Sequence, residues 1–157
     1  MYKSTHSFIM HYLMEFSCIE VDHFEKASDA HQFKCHLNIG KGQNRVRIIL
    51  QYLGFSEDDS WIAASGIIGL FKTHSDLMYM LDYLHSNTVP SYALTLDKHS
   101  RVISLTRSMR MKNLDWQAMH ELTSGLAEMI QNLRNAVSAS PTNVPPLDRV
   151  RRGAVAK

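Results

Sequence analysis

The side chains best suited to chemistry are nine histidines: His6, His11, His23, His31, His36, His74, His85, His99 and His120. Zinc sites gather imidazole and thiolate ligands at short, definite spacings. The intervals here do not do so along the chain. His31 and His36 stand five apart in an alternating segment, so they would face opposite sides of a strand. His6 and His11 stand five apart on a helical stripe and do not align. No His-Glu-x-x-His or paired-cysteine motif occurs, so the expectation is scattered surface histidines and no metal site. A cysteine nucleophile needs a thiolate and a base beside it. Cys35 falls on the apolar side of its segment and Cys18 ends an apolar stripe, so both read as packing residues. Gly40-Lys41-Gly42 lacks the Gly-Lys-Ser/Thr element of a phosphate loop, and Glu57-Asp58-Asp59 lacks the alternating ligands and glycine of a calcium loop. No set of acid, base and nucleophile emerges and no cofactor motif is present, which argues against an enzyme.

The arginines form the other candidate. Arg45 and Arg47 share one face of an alternating segment, and Lys98, Arg101, Arg107, Arg110 and Lys112 gather around a later one. A phosphate-binding face is one reading. A solvated sheet edge, kept from aggregating by its charge, is the favoured one.

The elements that must position these residues run from His31 to Val137. The closing helix is the clearest. From Asp115, the residues Trp116, Met119, Leu122, Leu126, Met129, Ile130, Leu133 and Val137 recur at steps of three and four, and Asp115 can cap the start. A first helix is expected from about Ser4 to Cys18, with Phe8, Ile9, Tyr12, Leu13 and Phe16 at helical spacing. The stretch from Glu20 to Ala30 reads as a loop or a weak first strand. Phe33, Cys35, Leu37 and Ile39 alternate with polar neighbours, as do Val46, Ile48, Leu50 and Tyr52, and Gly40–Gln43 supplies the turn between them. Trp61–Phe71 is a nearly unbroken apolar run, expected as a central strand. Leu77, Met80, Leu81 and Leu84 make the stripe of a second helix, ended by Asn87 and Pro90. Tyr92, Leu94 and Leu96, a four-residue turn at Asp97–Ser100, and Ile103 and Leu105 make two further strands. The expected fold is α+β: helix, three strands, helix, two strands, helix, with an antiparallel sheet packed on the helices.

Length and charge agree with one domain. The chain has 157 residues, 45% of them hydrophobic, and a net charge of +2 from 17 basic and 15 acidic residues, too even a balance to mark a nucleic-acid binder. Residues 1–137 are expected to form the domain. Residues 138–157, with Pro141, Pro145, Pro146, Arg149, Arg151 and Arg152, are expected to form a disordered basic tail. No basic segment near Met1 leads into a long apolar run and no stretch could span a bilayer, so the expected location is cytoplasmic.

This order of elements resembles the class I type III secretion chaperones, and equally the YbjN family, which shares that fold. The residues that carry the resemblance lie between Asp76 and Val137. Leu77-Met78-Tyr79-Met80-Leu81-Asp82-Tyr83-Leu84-His85-Ser86-Asn87 looks like the families' second helix. Tyr92-Ala93-Leu94-Thr95-Leu96-Asp97 is similar to their strand that opens a hairpin, and Arg101-Val102-Ile103-Ser104-Leu105 to its return. Met111-Lys112-Asn113-Leu114-Asp115 looks like the lead-in to their last helix. The chain departs from secretion chaperones, which are usually acidic, in being slightly basic. The resemblance implies a non-enzymatic homodimer that holds an extended stretch of a partner polypeptide, such as a secreted effector. On that reading Phe8, Tyr12, Phe16, Val46, Ile48 and Leu50 would contact the partner, and Leu77, Leu81 and Leu84 would form the dimer interface. The alternatives are a YbjN-like regulatory or stress-related protein with another partner, and a nucleic-acid-binding protein using the arginine-bearing strand face and the tail.

Overall fold

The computed structural model describes residues 5–16, 18–26, 32–54, 59–70, 72–87 and 92–138. All of the expected tail but Ser138 lies outside them, as do His31 and the Glu57-Asp58 part of the acidic run. The fold is α+β. Helix α1 (Thr5–Glu15) precedes strands β1 (Ile19–Lys26), β2 (Gln32–Ile39), β3 (Val46–Gly54) and β4 (Ser60–Leu70). Helix α2 (His74–Asn87) is followed by β5 (Tyr92–Leu96) and β6 (Val102–Arg110). The closing helix α3 passes from Trp116–His120 through a π turn, Glu121–Gly125, into Leu126–Ser138. The six strands form one sheet in the order β1-β2-β3-β4-β6-β5, antiparallel at every pairing.

The segment left open between loop and strand is a strand, so four strands precede α2. Its pairing with β2 runs from Ile19–Ile39 to Lys26–Phe33, with a register shift between Val21 and His23. That bulge reverses the phase of the side chains halfway along, which hides the alternation from a sequence reading.

Period-two alternation decides which side of the sheet is covered. Cys35, Leu37 and Ile39, Val46, Ile48 and Leu50, Ile62, Ala64 and Ile68, and Ile103 and Leu105 are all buried on the helix side. The apolar run on β4 is therefore a one-sided strand: Trp61, Ala63, Ser65 and Ile67 face the other way. Met119, Leu122, Leu126, Ile130 and Leu133 of α3 complete the core. Each such aliphatic side chain gains about 1.5–3 kcal/mol on leaving water. At Gly66 a Cβ would press on the terminal methyls of Ile130 and Ile48, the latter at 2.8 Å, and these would have to shift.

The local chemistry of the ends follows the sequence. Asp115 accepts from the Ala118 N–H at 2.7 Å and caps α3. Gly40, at φ +91°, makes the β2–β3 turn, where a Cβ would lie 2.9 Å from Asn44 O. In the β5–β6 turn Asp97 accepts from the His99 N–H and the Ser100 hydroxyl, which holds its carboxyl below the usual range. Arg101 closes that turn at φ 59°, a left-handed conformation that costs a non-glycine residue energy.

Candidate functional site

Among the described residues the sheet ends at β1 on one side and β5 on the other. Every edge strand points alternate N–H and C=O groups outward, ready to pair with another chain. β1 reads Ile-Glu-Val-Asp-His-Phe-Glu-Lys, so charges and a bulge sit along it. β5 reads Tyr-Ala-Leu-Thr-Leu, without a charge, a proline or a bulge, in unbroken register with β6 from Tyr92–Arg107 to Leu96–Ile103. Among the described residues no strand pairs with its outer side. Tyr92 and Leu94 are half-buried against the core, whereas Ala93, Thr95 and Leu96 are exposed. Arg107 lies over the Tyr92 ring, 5.4 Å from its centroid, and pairs with Glu121 of the π turn, so β5 and β6 rest on a fixed support.

Helix α2 shows a second uncovered surface. Met80 and Leu84 face the core, while Met78, Tyr79 and Leu81 are exposed, Leu81 by 42%. Of the expected dimer residues, Leu84 is therefore buried and Leu77 half-buried, and Leu81 alone stands open.

The residues expected to touch a partner are placed otherwise. Tyr12, Val46, Ile48 and Leu50 are buried in the core, covered by this chain's own helices, and offer no surface to another molecule in the folded domain. The outward residues of β3 are instead Arg47, Ile49 and Gln51. Phe8, Tyr12 and Phe16 meet around Trp116, with ring centroids 6.3, 4.7 and 5.9 Å from the indole. This cluster fastens α1 to the start of α3, worth about 0.5–1.5 kcal/mol for each ring pair beyond area burial. The Tyr12 hydroxyl lies 3.4 Å from the Thr123 Oγ1 of the π turn, and burial raises its pKa.

The outer face carries a depression of about 360 Å³, bounded by Arg47, Ile49, Ile67, Asp97, Ser104 and Arg134 among others. Arg134 passes unnoticed in the sequence as a polar residue on α3. Its guanidinium donates to Ile68 O at 3.0 Å and Ile67 O at 2.6 Å, carbonyls at the register shift of β4, and so satisfies the bulge.

Of the two cysteines expected to pack, Cys35 is buried but Cys18 is exposed, and several of the candidate cations are engaged. Burial pushes the Cys35 thiol up to about 11, far from a reactive thiolate. Arg45 pairs with Glu20 at 3.0 Å and Arg47 with Asp22 at 3.3 Å, both carboxylates of β1, and Arg110 lies over the Trp61 ring. Those carboxylates offset the positive face read from the sequence. No helix among the described residues is long and apolar enough to cross a membrane.

No family model matches the sequence, and no curated protein does. Among solved structures, the chain is similar to a chain of the HopA1–SchA chaperone–effector complex. The two are 14% identical, the superposition covers 84% of this chain and 98% of that one, and the TM-score is 0.49.

Proposed function

We propose that this protein is a non-enzymatic binding module that takes an extended segment of a partner polypeptide along the edge of β5. The observation that carries the reading is the edge itself, with which no strand pairs among the described residues: five residues without a charge or proline, backed by the core and by the Arg107–Glu121 pair. A strand added there gains main-chain hydrogen bonds, and its alternate side chains fall beside Tyr92, Leu94 and Leu96 on one side and Ala93 and Thr95 on the other. The resemblance of Asp76–Val137 to the secretion chaperones and the YbjN family supports the same class of function. It favours a secreted protein as the partner in the first case and a regulatory target in the second.

The module works as a homodimer, with Met78, Tyr79 and Leu81 of α2 covered by the second copy. Exposed apolar side chains around the outer side of α2 favour this, since a two-fold dimer is the commonest closed way to cover them. The nucleic-acid reading has no comparable support, because Arg45, Arg47 and Arg107 face carboxylates of this chain.

Two experiments test the proposal. Sedimentation velocity of the full chain at micromolar concentration should give a dimer, and Leu81→Asp a folded monomer; a wild-type monomer overturns the dimer. An array of unstructured peptides should contain segments that bind the wild type and are lost with Thr95→Lys, which places a charge on the exposed side of β5. Binding unchanged in Thr95→Lys overturns the edge as the site.

A further inference from the structure

We propose that His23, His36 and Glu25 form a site for a divalent transition metal of the zinc class, clamping the edge strand β1 to β2. Spacing along the chain gave no hint of it, because thirteen positions separate the two histidines and β1 was not evident. Strand pairing brings them together: His23 and His36 are direct register partners. Their ring centroids lie 5.6 Å apart. Glu25 follows His23 by two residues, so it stands on the same side of β1. Its Oε1 lies 3.5 Å from His23 Nε2 and 3.6 Å from His36 Nε2. Donors around a tetrahedral zinc, each about 2.0–2.1 Å from the ion, are about 3.3 Å apart. The carboxylate oxygen thus stands close to its bound spacing from both imidazoles.

A second observation points the same way. His36 Nε2 is shielded from solvent and has no hydrogen-bond partner among the described residues. Its nearest acceptor is the Glu25 carboxylate at 3.6 Å, beyond hydrogen-bond reach, and an ion between the two would satisfy both. As the side chains stand, no group of three His, Cys, Asp or Glu residues among those described is arranged to hold a metal ion, this one included. Closing this one asks for rotation of His23 and Glu25, whose side chains are 60% and 51% exposed and therefore turn at little cost. His36 is the fixed ligand. Ligation through its Nε2 puts the ring proton on Nδ1, which now lies 3.4 Å from Arg47 Nη2. Guanidinium only donates, so binding gives up that contact, while Arg47 keeps its pair with Asp22. Water completes the coordination on the open side.

The test is calorimetric titration of the full, chelator-treated and dialysed chain with zinc chloride at pH 7.5, alongside thermal melts. The expected result is one zinc per chain with a raised melting temperature. His23→Ala, at an exposed position, should lose both effects, as should His36→Ala, while His99→Ala on the β5–β6 turn should keep them. Absence of zinc binding by the wild type overturns the site. So does binding that His23→Ala leaves intact, which would assign it to other histidines.

Discussion

β1 and β5 both end the sheet, yet eight residues of β1 carry Glu20, Asp22, His23, Glu25 and Lys26, and five residues of β5 carry no charge. β1 is further distorted by its bulge and braced by the Glu20–Arg45 pair to the β2–β3 turn and the Asp22–Arg47 pair to β3. Charge and irregularity of this kind keep an edge from pairing with other chains, at little cost to the core. The same device was open to β5 at its exposed positions, Ala93 and Thr95, and is missing there. An edge left flat and uncharged beside a guarded one is the pattern expected when pairing at that edge is the function.

The comparison assumes that the edges differ in what they offer and not in the firmness of the core beneath. The largest expected effect tests that assumption. Leu50→Ala, in the interior of β3, should cost about 2–5 kcal/mol in denaturant unfolding. A cost below about 1 kcal/mol would mean that Leu50 faces a partner and not the core. Next is a pH effect at Cys35, on the strand beside β1. The unfolded thiol releases its proton near 9, the folded one only at about 11. The folded state therefore holds more protons across that window and stability falls as pH rises through it, by up to roughly 3 kcal/mol. Unfolding measured at both ends of the window should show this component in the wild type and not in Cys35→Ala.

Smaller effects separate the edges themselves. Asp115→Ala removes the cap of α3 and should cost about 1 kcal/mol without altering peptide binding. Glu20→Gln breaks an exposed pair on β1 and should change stability by less than about 1 kcal/mol. If peptides bind the Glu20→Gln variant at β1 where they did not bind the wild type, charge is confirmed as what guards that edge.

How far the sequence disclosed this molecule depended on whether a signal was local. The α3 stripe and its Asp115 cap, the turn at Gly40, and the alternation of β2, β3 and β6 are properties of adjacent residues, and each recurs in the structure. β1 was ambiguous because an edge strand with polar residues on both sides and a phase-shifting bulge has no alternation to read. Val46, Ile48 and Leu50 show why site residues were harder: an apolar face against the chain's own helix and one against a partner share the same pattern. The His23–His36 pair and the Arg134 bridge to β4 exist only through strand pairing and helix packing, so no window of sequence contains them. The plainness of β5 was visible in its letters, but its position at an edge was not.

Hydrogen exchange of the full chain, with and without a bound extended peptide, addresses strand addition most directly. The account predicts slowed exchange at the outward amides of Tyr92–Leu96 and unchanged exchange along Ile19–Lys26. Protection along β1 instead, or bound peptide with no protection at β5, would contradict it.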